Sequence, residues 1–147
     1  MPVNTVLSDV WEVLETFEKA NTRKERVNIL KEHTKHWALR DVLQGTFDDR
    51  VVWNLPSGAV PYTPEAEGAP TPSTLLKQHM NFKFFVKGVK SSDDLLNVKR
   101  ERMFVDILES IDPRDAEILV AMINKKPPAK GLTKKIVQEA MPDLIPD

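Results

Sequence analysis

Apolar residues recur at helical spacing through most of this chain. Val10, Trp11, Leu14 and Phe17 share one face of a helix expected over residues 9–19, with Ser8 as its cap. Thr22 followed by Glu25 forms a capping box that opens a second helix, with Val27, Ile29 and Leu30 on its apolar side. A third covers residues 35–44, turns Trp37, Leu39, Val42 and Leu43 inward, and stops at Gly45. After an interruption, Leu75, Leu76, Met80, Phe84 and Phe85 make a stripe over residues 74–88. Ser91 or Ser92 caps a long helix over residues 93–110, with Leu95, Leu96, Val98, Phe104, Ile107 and Leu108 as core candidates. Asp112 and Pro113 pair an N-cap with a proline at the first helical position, and Ala116, Ile118, Leu119, Ala121, Met122 and Ile123 carry that helix onward. A last helix starts near Leu132 or Thr133, reaches Met141 and is ended by Pro142. No strand–helix alternation interrupts the series. The pattern predicts an all-α fold, a compact bundle of about six or seven helices.

The interruption has its own character. Val51, Val52 and Trp53 suit a short extended piece, and Pro56, Pro61, Pro64, Pro70 and Pro72 then forbid regular structure. Residues 55–74 read as a proline-rich surface loop, mobile around Glu65, Ala66, Glu67 and Gly68. At 147 residues, 41% hydrophobic and 29% charged, residues 1–147 suit one domain with a real core. There is no cysteine to build a disulfide framework or a thiolate site. No apolar run is long enough to span a bilayer, and the first residues lack a secretory leader pattern. These features lead to the expectation of a cytoplasmic protein without membrane partners.

Catalytic and cofactor motifs are missing. There is no phosphate-binding G-x-x-x-x-G-K-[ST] loop, no G-x-G-x-x-G and no G-x-S-x-G elbow. His33, His36 and His79 lack the surroundings of a metal site and read as exposed polar residues, and Asp48–Asp49 reads as a turn or cap rather than a magnesium site. The expectation is a non-enzyme with no catalytic residue, no metal and no cofactor.

One stretch changes the picture. Residues 122–136 hold five lysines and no acid, although the formal net charge is only -1. Pro127 and Pro128 stop one helix, and Gly131, Leu132 and Thr133 open the next. The first amides of a helix lack internal partners and sit at its positive end, so flanking lysines make a phosphate site there. The candidates are Lys125, Lys126, Lys130, Gly131, Leu132, Thr133, Lys134 and Lys135, joined by Arg23 of the second helix. Further basic residues, Lys24 and Arg26, Lys83, Lys87 and Lys90, and Lys99, Arg100 and Arg102, read singly as solvated helix faces. A phosphate-tracking surface requires the helix at Gly131 to open onto a contiguous positive face shared with Arg23 or Lys99.

Two segments carry a family resemblance. The first comprises Thr22-Arg23-Lys24-Glu25-Arg26-Val27-Asn28-Ile29-Leu30, Ala38-Leu39-Arg40-Asp41-Val42-Leu43 and Thr46-Phe47-Asp48. The second is Gly131-Leu132-Thr133-Lys134-Lys135-Ile136 with the exit Met141-Pro142-Asp143-Leu144-Ile145-Pro146. Together they resemble the N-terminal DNA-binding domain of ATP-dependent DNA ligases, especially of tailed phages. That resemblance implies an all-helical module that grips duplex DNA non-specifically through its phosphates, with amides and the hydroxyl of Gly131, Leu132 and Thr133 facing phosphate. The K-x-D-G adenylation motif of those ligases is absent, Met141 stands for an aromatic and Asp143 for a glycine, and Lys125-Lys126-Pro127-Pro128-Ala129 departs from the pattern. The implied role is a stand-alone duplex-binding accessory to replication, repair or recombination, phage-encoded and acting in the host cytoplasm. The alternative is a protein-interaction module, an inhibitor or adaptor on the same fold, and a protein partner then replaces the duplex.

Overall fold

The computed structural model describes residues 8–56, 58, 60–66 and 68–146. The expectation of no leader concerns residues 1–7, and the mobile loop tip includes Glu67; these lie outside the described residues.

Helix starts follow the local chemistry with small displacements. Helix α1 (Val10–Lys19) is capped by Asp9 rather than Ser8, because Glu12 reaches back to the Asp9 amide (2.9 Å) and closes a capping box there. In α2 (Arg23–Lys31) the Thr22 hydroxyl accepts from the Glu25 amide at 3.1 Å, but the Glu25 carboxylate bonds the amide of Asn21 instead of Thr22. Helix α3 (Trp37–Phe47) is capped by a histidine. The Leu39 amide donates to His36 Nδ1 (3.1 Å), so the proton sits on Nε2 and is donated to the Ser8 carbonyl (2.6 Å). His36 is buried, and burial pushes its pKa down, which keeps the ring neutral as this cap requires. His79 Nδ1 likewise lies 2.6 Å from the Asp41 carboxylate. The expectation of exposed histidines is therefore corrected for both, and also for His33, which is half-buried with Nδ1 2.8 Å from the Ile29 carbonyl.

Gly45 does not end α3. The helix runs on to Phe47, and the glycine serves close packing: a Cβ there would lie 2.5 Å from Trp53 Cζ2 and 2.8 Å from Met122 Sδ. Trp53 also donates its indole N–H to the Gly45 carbonyl (2.9 Å). Gly45→Ala should gain about 1 kcal/mol of helix propensity yet lose more to overpacking, roughly 1–3 kcal/mol. A net drop in the chemical-denaturation midpoint is expected, and an unchanged or raised midpoint would contradict this packing.

Downstream lie α4 (Leu75–Gln78), a 3-10 segment (His79–Phe84), α5 (Lys90–Asp93), α6 (Asn97–Leu108), α7 (Pro113–Ile123) and α8 (Lys134–Ala140). The fold is all-helical, with eight α-helices among the described residues rather than six or seven, because Ser91 and Ser92, expected to cap the long helix, lie inside a short additional helix, α5, ahead of it. Past Gln78 the backbone tightens to three residues per turn, which puts Phe82 and Phe85 inside and leaves Met80 69% exposed. The expected long helix over 93–110 breaks between Asp93 and Asn97. There the buried Arg100 guanidinium donates to the carbonyls of Ser92 (2.9 Å) and Leu95 (2.8 Å) and to Asn97 Oδ1 (2.7 Å). Leu96 and Val98, expected in the core, are 78% and 79% exposed beside this break.

No strand forms among the described residues; the expected extended piece makes an isolated antiparallel bridge between Trp53 and Val86. The proline-rich stretch 55–74 contains no helix among its described residues. It is strapped to α6 and α7 through Thr63 N–H to Glu109 (2.7 Å) and a Gly58–Asn124 pair of bonds (2.6 and 3.0 Å), with Leu55, Val60 and Tyr62 packed on the core. Helix α2 packs on α1 and α8, and α3 and α6 on α7, around one hydrophobic cluster. The exit segment closes it: Met141, Leu144 and Ile145 are buried, while Asp143 pairs with Arg40 at 2.7 Å.

Candidate nucleic-acid interface

The lysine stretch begins where α7 ends. The Lys126 amide bonds the Ala121 carbonyl (2.9 Å) and the Lys125 amide the Met122 carbonyl (3.0 Å), a Schellman closure with Lys125 in the left-handed position usually given to glycine (φ 57°). Lys125 stays exposed, but its side chain folds back over the end of α3. Its ammonium donates to the carbonyls of Gly45 and Asp48, each at 2.9 Å, and so satisfies the end of α3. Partial burial lowers its pKa. Lys125 is therefore corrected from phosphate ligand to helix cap.

The helix start is also occupied from within. The Lys130 amide donates to a carboxylate oxygen of Glu18 at 2.6 Å, so the protein supplies its own anion where phosphate was expected. Gly131 has φ 83° and a Cβ on it would collide with the Arg26 guanidinium, which lies over the Phe17 ring (5.5 Å). Leu132 is buried, and the Thr133 hydroxyl accepts from the Ile136 amide (3.3 Å) as the cap of a helix only seven residues long. Lys134 lies 3.7 Å from Asp49, and Arg23 is paired with Glu139. Lys126, Lys130 and Lys135 are exposed. Glu18, Asp49 and Glu139 thus cross the expected positive face, and the nine candidates do not form one contiguous patch. Lys99 belongs to α6, which packs on α7, and Arg100 is buried.

Basic side chains do gather nearby. A groove of about 450 Å³ beside α2 is lined by Arg23, Lys24, Lys31, Val27 and Asn28, with Glu139 of α8 as its one acid. Lys24 and Lys31 are exposed and stand two helical turns, about 10 Å, apart on one side of α2. Lys31 was missed in the sequence; its spacing of seven from Lys24 was the available signal. The acids Glu18 and Glu139 were also missed, because each reaches the site from a helix remote in sequence.

The remaining charged candidates have structural work. Asp48 is buried at the end of α3, where Arg50 grips both its oxygens (3.0 and 2.8 Å) and holds its carboxyl well below the usual carboxylate range. This is the turn role expected for the Asp48–Asp49 pair. Asp115 of α7 is buried and accepts the Trp11 amide of α1 at 3.0 Å, and burial pushes its carboxyl up to about 7. Among the described residues no group of three or more His, Asp or Glu is placed to hold a metal ion, and no helix is long and apolar enough to cross a membrane.

No curated protein matches this chain. Residues 13–127, most of the chain from within α1 to Pro127 but short of the Gly131 helix start, match a family of unknown function (DUF6433), and the chain belongs to that family.

Proposed function

We propose that this protein is a non-catalytic module that binds the phosphate backbone of duplex DNA through the groove between α2 and α8. The observation that carries the reading is the cluster of Arg23, Lys24 and Lys31 around a single acid, Glu139. The resemblance of the α2 and α8 segments to the DNA ligase domain supports the same ligand, and with it a phage-encoded accessory role in replication, repair or recombination in the host cytoplasm. We place the site on the outer side of α2 because at the approach to α8 Glu18 already holds the Lys130 amide, the Leu132 amide bonds the Ala129 carbonyl and the Thr133 hydroxyl caps the helix. Two lysines unpaired among the described residues, beside an arginine held by Glu139, make binding modest and independent of base sequence.

Gel shift of a labelled duplex, nicked and intact, tests this. With two phosphates neutralised by Lys24 and Lys31, affinity should fall roughly 12-fold between 50 and 200 mM salt. Lys24→Glu with Lys31→Glu should abolish the shift while the circular dichroism spectrum is unchanged. Glu139→Gln should act in the opposite direction and tighten binding, since it frees Arg23. Absence of any shift at low salt, or a shift indifferent to the Lys24/Lys31 reversal, would overturn the proposal.

A further inference from the structure

A second groove lies on the other side of α1, and its charge has the opposite sign. It runs between α1 and α7 and encloses about 330 Å³. Trp11 and Leu14 of α1, Ile118 of α7 and the Pro127–Pro128 pair give it apolar walls. Glu15, Glu18 and Glu117 stand on it. Pro127 and Pro128 also wall a shallower continuation along the backbone to Thr133, which again includes Glu18. The prolines that depart from the ligase-like pattern therefore build the end of a concave surface.

The charge balance of this groove is unfavourable to anions. Its one cation, Arg114, lies flat on the Trp11 ring (3.4 Å) and is gripped by both oxygens of Asp112 (3.0 and 2.9 Å). Its charge is therefore offset locally. Glu15 is countered only by an exposed i,i+4 lysine at 3.4 Å, a pairing of little worth in water. Glu18 spends one oxygen on the Lys130 amide, and Glu117 makes no ion pair among the described residues. Three carboxylates around an apolar concavity complement a ligand that brings an apolar side chain flanked by positive charge. Duplex DNA is repelled by the same arrangement.

We propose that the α1–α7 groove docks a basic, amphipathic segment of another protein, whose apolar side chain enters between Trp11 and Pro127–Pro128 while its lysines or arginines meet Glu15, Glu18 and Glu117. The surface is separate from the α2–α8 groove, and the inference does not depend on DNA binding. It makes the protein a connector with one face for a protein segment and another for a phosphate backbone.

A fluorescein-labelled amphipathic peptide of leucine and lysine, and its counterpart with glutamate at every lysine, test the assignment by fluorescence anisotropy on the full chain. The basic peptide should bind and the acidic one should not. Glu15→Lys with Glu117→Lys should weaken the basic peptide at least tenfold, whereas Glu101→Lys with Asp106→Lys, an equal charge change on exposed positions of α6, should alter it less than twofold. No binding of the basic peptide, or equal weakening by the Glu101/Asp106 reversal, would overturn the groove assignment. Sedimentation without peptide gives the other arm: a concentration-dependent dimer abolished by the Glu15/Glu117 reversal would assign the groove to a second copy and overturn the partner proposed here, and a monomer at all concentrations is expected.

Discussion

Asp115→Asn is expected to raise the melting temperature at pH 8 by roughly 5–10 °C while changing it little at pH 4. Asp115 projects from the first turn of α7 into the interface with α1, where it is 2% exposed. It accepts from the Trp11 amide, and the nearest charges are mixed: Asp9 and Asp112 oppose its ionisation, while Arg114 favours it less than burial disfavours it. The carboxyl is consequently held near 7 in the fold, against an unfolded value of about 4. A group raised in this way binds its proton more tightly when folded. Its contribution is fully present below the unfolded value and is lost as pH rises through the folded one. Stability should therefore decline between about pH 4 and pH 7 by up to about 4 kcal/mol from this residue and then level off. Asparagine still accepts the Trp11 amide and never ionises, so its profile should be flat over that window. Asp48 and Asp112 have lowered values and contribute in the opposite sense, so stability is lost as acid protonates them below about pH 4. Thermal unfolding of both proteins from pH 3 to pH 8 checks the prediction. Parallel curves above pH 5 would show that Asp115 is ionised in the fold without cost.

The second large effect is expected at Arg100. Arg100→Met keeps most of the aliphatic stem and removes the guanidinium. The Leu95 carbonyl then loses its donor at the break between α5 and α6, while the Ser92 carbonyl keeps the Leu95 amide (3.1 Å). An acceptor left without a partner costs about 1–3 kcal/mol, which sets the expected loss at about 2 kcal/mol. The denaturation midpoint should fall with an unchanged slope, since the same surface is exposed on unfolding. Proteolysis at the exposed Leu96–Val98 stretch should accelerate as the break loosens. A loss below about 1 kcal/mol would mean that water replaces the guanidinium at the Leu95 carbonyl.

These two residues mark where the sequence was legible and where it was not. Asp112–Pro113 at α7 and Thr22 at α2 work as their local patterns predict, because a cap needs only residues within three or four positions. Val10, Leu14 and Phe17 are buried for the same reason: a period of 3.6 is a property of one helix. Arg100 looked like a solvated cation because nothing in its neighbourhood announces that a carbonyl of a broken helix will need it. Trp37 was expected inside and is 59% exposed, with Arg40 lying over its ring at 5.3 Å. Gly45 has the composition of a stop signal, and only Trp53 and Met122 pressing on it show that it is a spacer.

The candidate site divides in the same way. An all-helical fold, a helix start near Leu132 or Thr133 and a cluster of lysines around it are legible from the order of residues alone. Each of these follows from interactions among neighbours in the chain. Which charges face solvent and which are used up follows from the packing of the helices. Lys125 is turned onto α3, Glu18 is brought from α1 to the Lys130 amide, and Glu139 comes to rest against Arg23. Charge acts through space between segments more than a hundred residues apart, so its balance at a surface is set by how the helices pack and not by the order of residues along them.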